Sequence, residues 1–301
     1  MPVEYREEPC RSALNRVSGM PFEWSLNPYM GCAHRCAFCY VRSFERRADR
    51  PWDDRYGRSI RVKTNVAEVL RAELARRSWT GAPIAIGAAT DPYQPAEARY
   101  RLTRRCLEVL AERRNPFGIV TRGPLVVRDR DVLAHAAARA KVGVHISIPT
   151  LDEAVTSVTE PGAAPPRARL RAVAMLAAAG IRVSVAMAPI LPGISDAPAS
   201  LEAVVRAARD AGATGVWAGL AHLGPGAREH FLERLGEVWP EQRERLAALY
   251  EGREYLERSR AAALQTEVEM LRRRFPRRDD APAPIRPPEP PVHALQLALA
   301  V

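Results

Sequence analysis

Three cysteines fall within eight residues in the segment Gly31-Cys32-Ala33-His34-Arg35-Cys36-Ala37-Phe38-Cys39-Tyr40. Thiolates spaced C-x3-C-x2-C in a tight loop can face one centre. The total of five cysteines is odd, and such a cluster points to metal or redox chemistry rather than to disulfides. No fourth protein ligand stands nearby. A structural zinc site wants four ligands, and His34 is awkwardly placed for that role if its neighbours Cys32 and Cys36 both bind. Three ligands leave one metal position open, which suits an iron–sulfur cluster whose remaining iron binds a small molecule. The other two cysteines read differently. Cys106 shares an apolar helix face with Leu107 and Leu110 and is expected in the core, and Cys10 lies in a polar segment without an expected task.

The elements that position this loop follow from the pattern of the chain. Short apolar runs rich in β-branched residues alternate with helical patterns of about twelve residues. Strands are expected at 24–29, 83–88, 117–121, 142–148, 181–187 and 214–219. Helices are expected at 65–77 with Asn65 as cap, from Thr103 onward, at 130–140 with Asp129 as cap, at 166–179 and at 198–210. Repeated βα units with buried-looking strands imply a parallel sheet, curled as a full or partial barrel or open and doubly wound. After residue 222 the strands stop and 226–274 reads as helical. Residues 275–292 hold seven prolines and read as an extended tail, and the final HALQLALAV is apolar enough to dock. The expected organisation is an N-terminal segment (1–19), a core domain (20–222), a helical extension (223–274) and a Pro-rich tail (275–301).

At 301 residues and 47% hydrophobic content the chain can bury a large core. No apolar run approaches the length of a membrane span, and the N-terminus lacks the apolar stretch of a secretory signal. A cytoplasmic protein without membrane contact is expected. The net charge is +10, and all but two of the 45 basic residues, Lys63 and Lys141, are arginine. That balance invites a polyanionic partner, with arginines gathered at 42–61 and 272–278. Arginine-preferring codon usage is the bland alternative, and a basic amphipathic helix explains Arg46, Arg47 and Arg50 equally well.

C-x3-C-x-aromatic-C resembles the signature of the radical S-adenosylmethionine (SAM) superfamily, and the βα rhythm resembles that family's partial (β/α)6 TIM-like barrel. The resemblance spans residues 20–222. It implies that Cys32, Cys36 and Cys39 hold a [4Fe–4S] cluster, that the cluster's unique iron chelates SAM, and that a reductant such as flavodoxin or ferredoxin drives SAM cleavage to a 5′-deoxyadenosyl radical. Asn27-Pro28-Tyr29-Met30-Gly31, Thr90-Asp91-Pro92-Tyr93-Gln94-Pro95 and Glu160-Pro161-Gly162 resemble the branch related to spore photoproduct lyase. Lyases of that branch repair a thymine dimer in DNA and carry a hydrogen-donating cysteine near the second-strand motif. Ala88 and Ala89 stand there in this chain, a departure that argues against the lyase reaction itself.

In parallel barrels functional groups gather at the C-terminal strand ends. By the resemblance, Thr90 contacts the polar end of SAM, Arg122 pairs with its carboxylate, Ser147 supplies a hydroxyl and Phe38 flanks the adenine edge. The structural alternatives are an Asx-turn at Thr90-Asp91, a surface charge at Arg122, a backbone hydrogen bond at Ser147 and a core position at Phe38. Tyr93 and Gln94 are candidate substrate contacts. Glu160 reads as a cap for the helix opening at 165–167, and His145 as a packed strand residue. The expected function is a radical SAM enzyme acting on a nucleic acid or nucleotide-derived group. Its rivals are a radical SAM enzyme acting on a protein or small metabolite, and a non-catalytic nucleic-acid-binding protein with a structural metal site.

Overall fold

The computed structural model describes residues 3–278 and 280–288. Its strands are β1 (Glu4–Glu8), β2 (Leu14–Arg16), β3 (Trp24–Leu26), β4 (Tyr29–Met30), β5 (Ser59–Lys63), β6 (Ile84–Ile86), β7 (Phe117–Thr121), β8 (Val142–Ser147), β9 (Val183–Ile190) and β10 (Gly215–Leu220). Its helices are α1 (Val41–Arg47), α2 (Val66–Leu74), α3 (Ala96–Tyr100), α4 (Leu102–Glu112), α5 (Arg130–Ala137), α6 (Glu153–Thr159), α7 (Pro166–Ala178), α8 (Pro198–Asp210), α9 (Ala227–Val238), α10 (Pro240–Leu249) and α11 (Arg258–Arg274). All six expected strands are present, and α8 has the expected bounds.

The main sheet runs β10-β9-β8-β7-β6-β3-β2. Six of its strands, β3 and β6 to β10, are parallel and lie side by side in chain order, while β2 pairs antiparallel with β3. Sequential parallel neighbours joined by helices make the partial (β/α)6 barrel. Alternation along each strand decides the two faces. Ile84, Ile86, Ile119, Val144, Ile146, Val183, Val185 and Met187 are at most 1% exposed and face the helices. Each such side chain contributes about 1.5–3 kcal/mol by leaving water. The opposite face carries Ala85, Gly118, Gly143, His145, Ser184 and Gly215, small or polar residues, together with the exposed Trp217. His145 lies across two of these glycines, for a Cβ at Gly118 or Gly143 would sit 3.9 or 3.8 Å from its Nε2.

A second sheet, β1-β5-β4, brackets the cysteine loop. The chain leaves through β4 and returns through β5, and these two pair antiparallel, Tyr29 with Val62 and Met30 with Arg61. The excursion 31–58 is therefore tied at its base. The helices α9 and α10 build a smaller core on the loop itself, in which Phe38, Leu191, Leu223, Phe231, Leu235 and Tyr250 are buried together with Cys36. Helix α11 packs on β10 and α8, and Gln265 donates to the Ala218 carbonyl, which covers part of the edge that β10 presents.

Several local expectations are corrected. Asn65 and Asp129 stand at helix starts but make no capping bond. The Asn65 amide group instead pairs with the backbone of Cys10, and Asp129 accepts from Tyr93, Arg104 and Arg128. The Pro-rich stretch, as far as Pro288, has no regular structure but is docked. Ile285 N–H donates to Gly180 O (2.7 Å) and Arg277 Nε to Gly212 O (3.0 Å), at the base of the barrel. The apolar run 293–301 lies outside the described residues. Among the described residues no helix is long and apolar enough to cross a membrane.

Candidate active site at the strand ends

The loop 31–40 lies over the C-terminal ends of the strands and is held from three sides. The segment after β6 binds it through Thr90 and Gln94. The Thr90 hydroxyl donates to Gly31 O (2.6 Å), Gln94 Nε2 donates to Gly31 O and to Thr90 Oγ1, and Gln94 Oε1 accepts from the Ala33 amide (3.0 Å). The segment after α6 binds it through the backbone, Ala37 N–H to Thr159 O and Gly162 N–H to His34 O. The third side is Gly57, with φ at +76°. A Cβ there would meet Cys32 O at 2.2 Å, and one at Gly162 would meet Ala33 O at 2.3 Å. Only glycine permits either approach.

Asp91 ties the same segment to β7. It accepts from the Tyr93 amide (2.8 Å), which closes an Asx-turn, from the Thr121 hydroxyl (2.6 Å) and from the Arg122 amide (2.6 Å). His34 Nδ1 lies 3.2 Å from Asp91 Oδ2, without hydrogen-bond alignment. Burial pulls the His34 imidazole down, but the Asp91 carboxylate and the Cys32 thiol outweigh it and push the ring up to about 10. Burial would raise Asp91, yet His34 and the two β7 donors hold it at about 2. His34 thus faces a carboxylate and does not complete a metal tetrad.

Arg122, at the end of β7, is not a surface charge. Its Nε donates to Glu160 Oε1 (3.0 Å), its Nη2 donates to Ala188 O (3.1 Å), and its guanidinium lies 5.6 Å from the Phe38 ring centroid. Glu160 also pairs with Arg169, and the Glu160 and Arg169 side chains are at most 1% exposed. Glu160 therefore does not cap α7, whose N-cap position is Pro165; it sits between the buried guanidinium of Arg169 and the partly buried one of Arg122. Burial would raise its carboxyl, but Arg169 and Arg122 hold it below the usual range. Ser147 is buried at the end of β8, and its hydroxyl has no hydrogen-bond partner among the described residues. Phe38 is buried and packs edge to face on Phe231, 6.2 Å between centroids.

The three thiols border one another. Burial pushes Cys36 well up, Arg122 opposes it, and Glu160, Cys39 and Cys32 add to the rise; Cys39 is raised by burial and by Cys32. Among the described residues no three His, Cys, Asp or Glu side chains converge on a single metal ion. In a cuboidal cluster each thiolate binds its own iron, so the sulfurs border a common space without sharing one point. Three soft ligands and an imidazole drawn away by Asp91 fit such a cluster better than tetrahedral zinc.

Tyr93 and Gln94 are not poised for substrate. Tyr93 is buried with its hydroxyl on Asp129 (3.1 Å), and Gln94 is fully buried against the cysteine loop. Sequence reasoning missed Tyr40, whose hydroxyl donates to the Ala88 carbonyl, and Arg42, which is buried and donates to the carbonyls of Cys36, Trp52 and Asp53. It also missed Glu97, which accepts from Tyr29, Arg128 and two amides of α4. Their signal was the polar residue in an otherwise apolar neighbourhood. The arginine groups at 42–61 and 272–278 are largely paired. Arg46 meets Glu229, Arg50 meets Glu45, Arg55 meets Asp53, Arg272 and Arg273 meet Glu269, and Arg274 meets Glu202. Exposed pairs of this kind are worth about 0–1 kcal/mol and exchange for other anions.

Comparison with known proteins agrees with this geometry. An uncharacterised protein of Mycobacterium tuberculosis is 37% identical over 273 residues, 89% of this chain and 80% of the relative. An uncharacterised protein of Acidianus two-tailed virus is 32% identical over 211 residues, 66% of this chain and 67% of the relative. Spore photoproduct lyase complexed with dinucleoside spore photoproduct superposes with a TM-score of 0.67 at 16% identity, covering 90% of this chain and 79% of that one; at that identity the likeness is one of fold. The family model described as the radical SAM superfamily matches residues 26–203, and with the thiol loop seated over the ends of six parallel strands, the chain belongs to the radical SAM superfamily and is a radical SAM enzyme.

Proposed function

We propose that Cys32, Cys36 and Cys39 hold a [4Fe–4S] cluster, that SAM lies across the ends of β6, β7 and β8, and that the substrate is a nucleic acid or nucleotide-derived group. When bound, the cluster and SAM supply an electron, from a reductant such as flavodoxin or ferredoxin, and a 5′-deoxyadenosyl radical that takes hydrogen from the substrate. The chain's own residues bind and orient. Arg122 spends Nε and one Nη2 proton on Glu160 and Ala188 and keeps the Nη1 donors for the SAM carboxylate. Thr90, whose hydroxyl donates to Gly31 O and accepts from Gln94 Nε2, keeps one lone pair for the polar end of SAM. The Ser147 hydroxyl contacts SAM from β8, and Phe38 walls the adenine edge. The observation that carries this reading is the loop of Cys32, Cys36 and Cys39 held over the strand ends, with the Arg122 guanidinium 5.6 Å from the ring of its Phe38. The test is anaerobic reconstitution, reduction and mass analysis for 5′-deoxyadenosine. A protein loaded with four irons that forms none refutes it.

The net charge of +10 supports a nucleic-acid partner, as does the dinucleoside bound in the lyase structure of like fold. If arginines meet phosphates, affinity falls with salt at a log–log slope of about −0.9 per phosphate on duplex DNA. A flat salt dependence removes this partner class. Repair of the spore photoproduct itself is not proposed, because a substrate radical needs a hydrogen returned and no thiol stands at Ala88 or Ala89. Cys106 is fully buried in α4, and Tyr93, the tyrosine of that segment, is bound to Asp129. Clean repair of lesion-containing DNA by the reduced enzyme would overturn this.

A further inference from the structure

Of the five tryptophans, four are at least partly buried, and Trp24 and Trp79 pack edge to face on each other. Trp217 is 41% exposed. It stands in the middle of β10 between Val216 and Ala218, which are 2% and 1% exposed against the helices, so its indole projects onto the opposite, interior face. Gly215 and Gly219 flank it on that face. A Cβ at Gly219 would lie 3.6 Å from the indole and 3.7 Å from Ala188 Cβ, which places the ring beside the residue whose carbonyl accepts from Arg122. Trp217 is in register with Ala186, and Ala186 with Ser147, so the indole shares a layer with the proposed SAM hydroxyl. One layer below on the same face are Ser184 and His145, a register pair. Neither side chain has a hydrogen-bond partner among the described residues; His145 Nδ1 is buried and its Nε2 leans toward Gly118 and Gly143, away from the Trp217 layer, which leaves the Ser184 hydroxyl as the unpaired group on this face.

An exposed indole with an unpaired hydroxyl one layer below it matches a planar heterocycle, read by stacking on its face and hydrogen bonds to its edge. We propose that Trp217 stacks on a base of the nucleic-acid substrate, with the Ser184 hydroxyl offered to that base's edge. This rests on the reading that the substrate is a nucleic acid. The base belongs to the substrate rather than to SAM, because the proposed SAM position spans β6 to β8 with Phe38 at the adenine edge, and β10 lies two strands beyond β8.

The experiment compares the reconstituted wild-type enzyme with Trp217→Ala and Trp217→Phe, reading anisotropy of a labelled single-stranded oligonucleotide, iron content and SAM affinity. Base–aromatic stacking is strong enough that Trp217→Ala should weaken oligonucleotide binding by about tenfold or more, with Trp217→Phe staying within about threefold. Iron content and SAM affinity should not change. An oligonucleotide abasic along its length should bind wild type and Trp217→Ala alike. Unchanged affinity in Trp217→Ala, or no oligonucleotide binding by wild type, overturns the proposal; a loss of SAM affinity in Trp217→Ala overturns it by assigning the indole to adenine. Formation of 5′-deoxyadenosine by wild type is scored separately. Its absence rejects the radical chemistry, whereas its presence with unchanged Trp217→Ala affinity rejects only the stacking.

Discussion

Replacing Glu160 with glutamine removes the one negative charge shared by Arg122 and Arg169 while keeping the side chain's shape. At an effective dielectric of about 20, a pair of unit charges 4 Å apart attracts by about 4 kcal/mol, and desolvation of the buried Glu160 and Arg169 and the partly buried Arg122 offsets much of the two attractions. What the variant exposes is the asymmetry, since removing one partner of a buried pair leaves the other charge uncompensated at a cost of about 3–5 kcal/mol. The lower end applies. The amide oxygen can still accept from Arg122 Nε, and Arg169 keeps the carbonyls of Ala164 and Ser147. A loss of about 3 kcal/mol lowers the melting temperature by roughly 5–10 °C. The folded carboxyl lies below its usual range, so its contribution is present above the unfolded value near 4.3 and is lost as pH falls through the folded one. The gap between wild type and Glu160→Gln should therefore be constant from pH 6 to 9. SAM affinity should move the other way, because Arg122 no longer shares its charge with a protein carboxylate. Denaturant titration and SAM binding measure both. A stability change under about 0.5 kcal/mol, the range of ordinary surface substitutions, would refute the triad.

Cys32→Ala, Cys36→Ala and Cys39→Ala should each abolish SAM cleavage and lower bound iron. Cys106→Ala should keep its iron and cost about 1 kcal/mol of packing, so iron loss in that variant with retention in Cys36→Ala would overturn the ligand assignment. Arg122→Ala should weaken SAM binding at least about tenfold, a charge-assisted pair being worth about 1.5–3 kcal/mol; unchanged affinity with an intact cluster would leave the residue only its contacts with Glu160 and Ala188. Gly162→Ala pushes a Cβ to 2.3 Å from Ala33 O and should cost about 1–3 kcal/mol, with faster iron loss on exposure to a chelator than wild type shows.

The barrel was legible because its signals are local. β-branched runs such as Val142–Ser147 repeat at spacings that only a crossover helix spans, and the cysteine spacing is confined to one loop. What escaped the sequence is long-range. The pairing of β1 with β5 joins residues more than fifty positions apart, and the strand β1, EYREE, has no apolar alternation because it lies largely exposed. Asn65 and Asp129 have the right type and place for caps, but each found a tertiary partner worth more than the helix end offered. Glu160 was read locally as a cap when its partners, Arg122 and Arg169, come from two other elements.

The polar residues of Thr90-Asp91-Pro92-Tyr93-Gln94-Pro95 separate into scaffold and site for a physical reason. A loop that must present three thiols to one space cannot rely on strand or helix ladders, so its backbone groups need partners from elsewhere. Gln94 and Thr90 satisfy Gly31 and Ala33, the backbone of 159–162 satisfies His34 and Ala37, and Arg42 satisfies Cys36 from within the excursion. Buried side chains that fix a loop resemble ligand contacts in a sequence, because both are polar residues at strand ends. Hydrogen bonding separates them. Gln94 holds the loop and Tyr93 is bound to Asp91 and Asp129, both engaged and at most 2% exposed, while Arg122 keeps unspent donors and Ser147 a hydroxyl without a partner. The groups left with unmet hydrogen-bonding capacity at the strand ends are the ones a ligand would find.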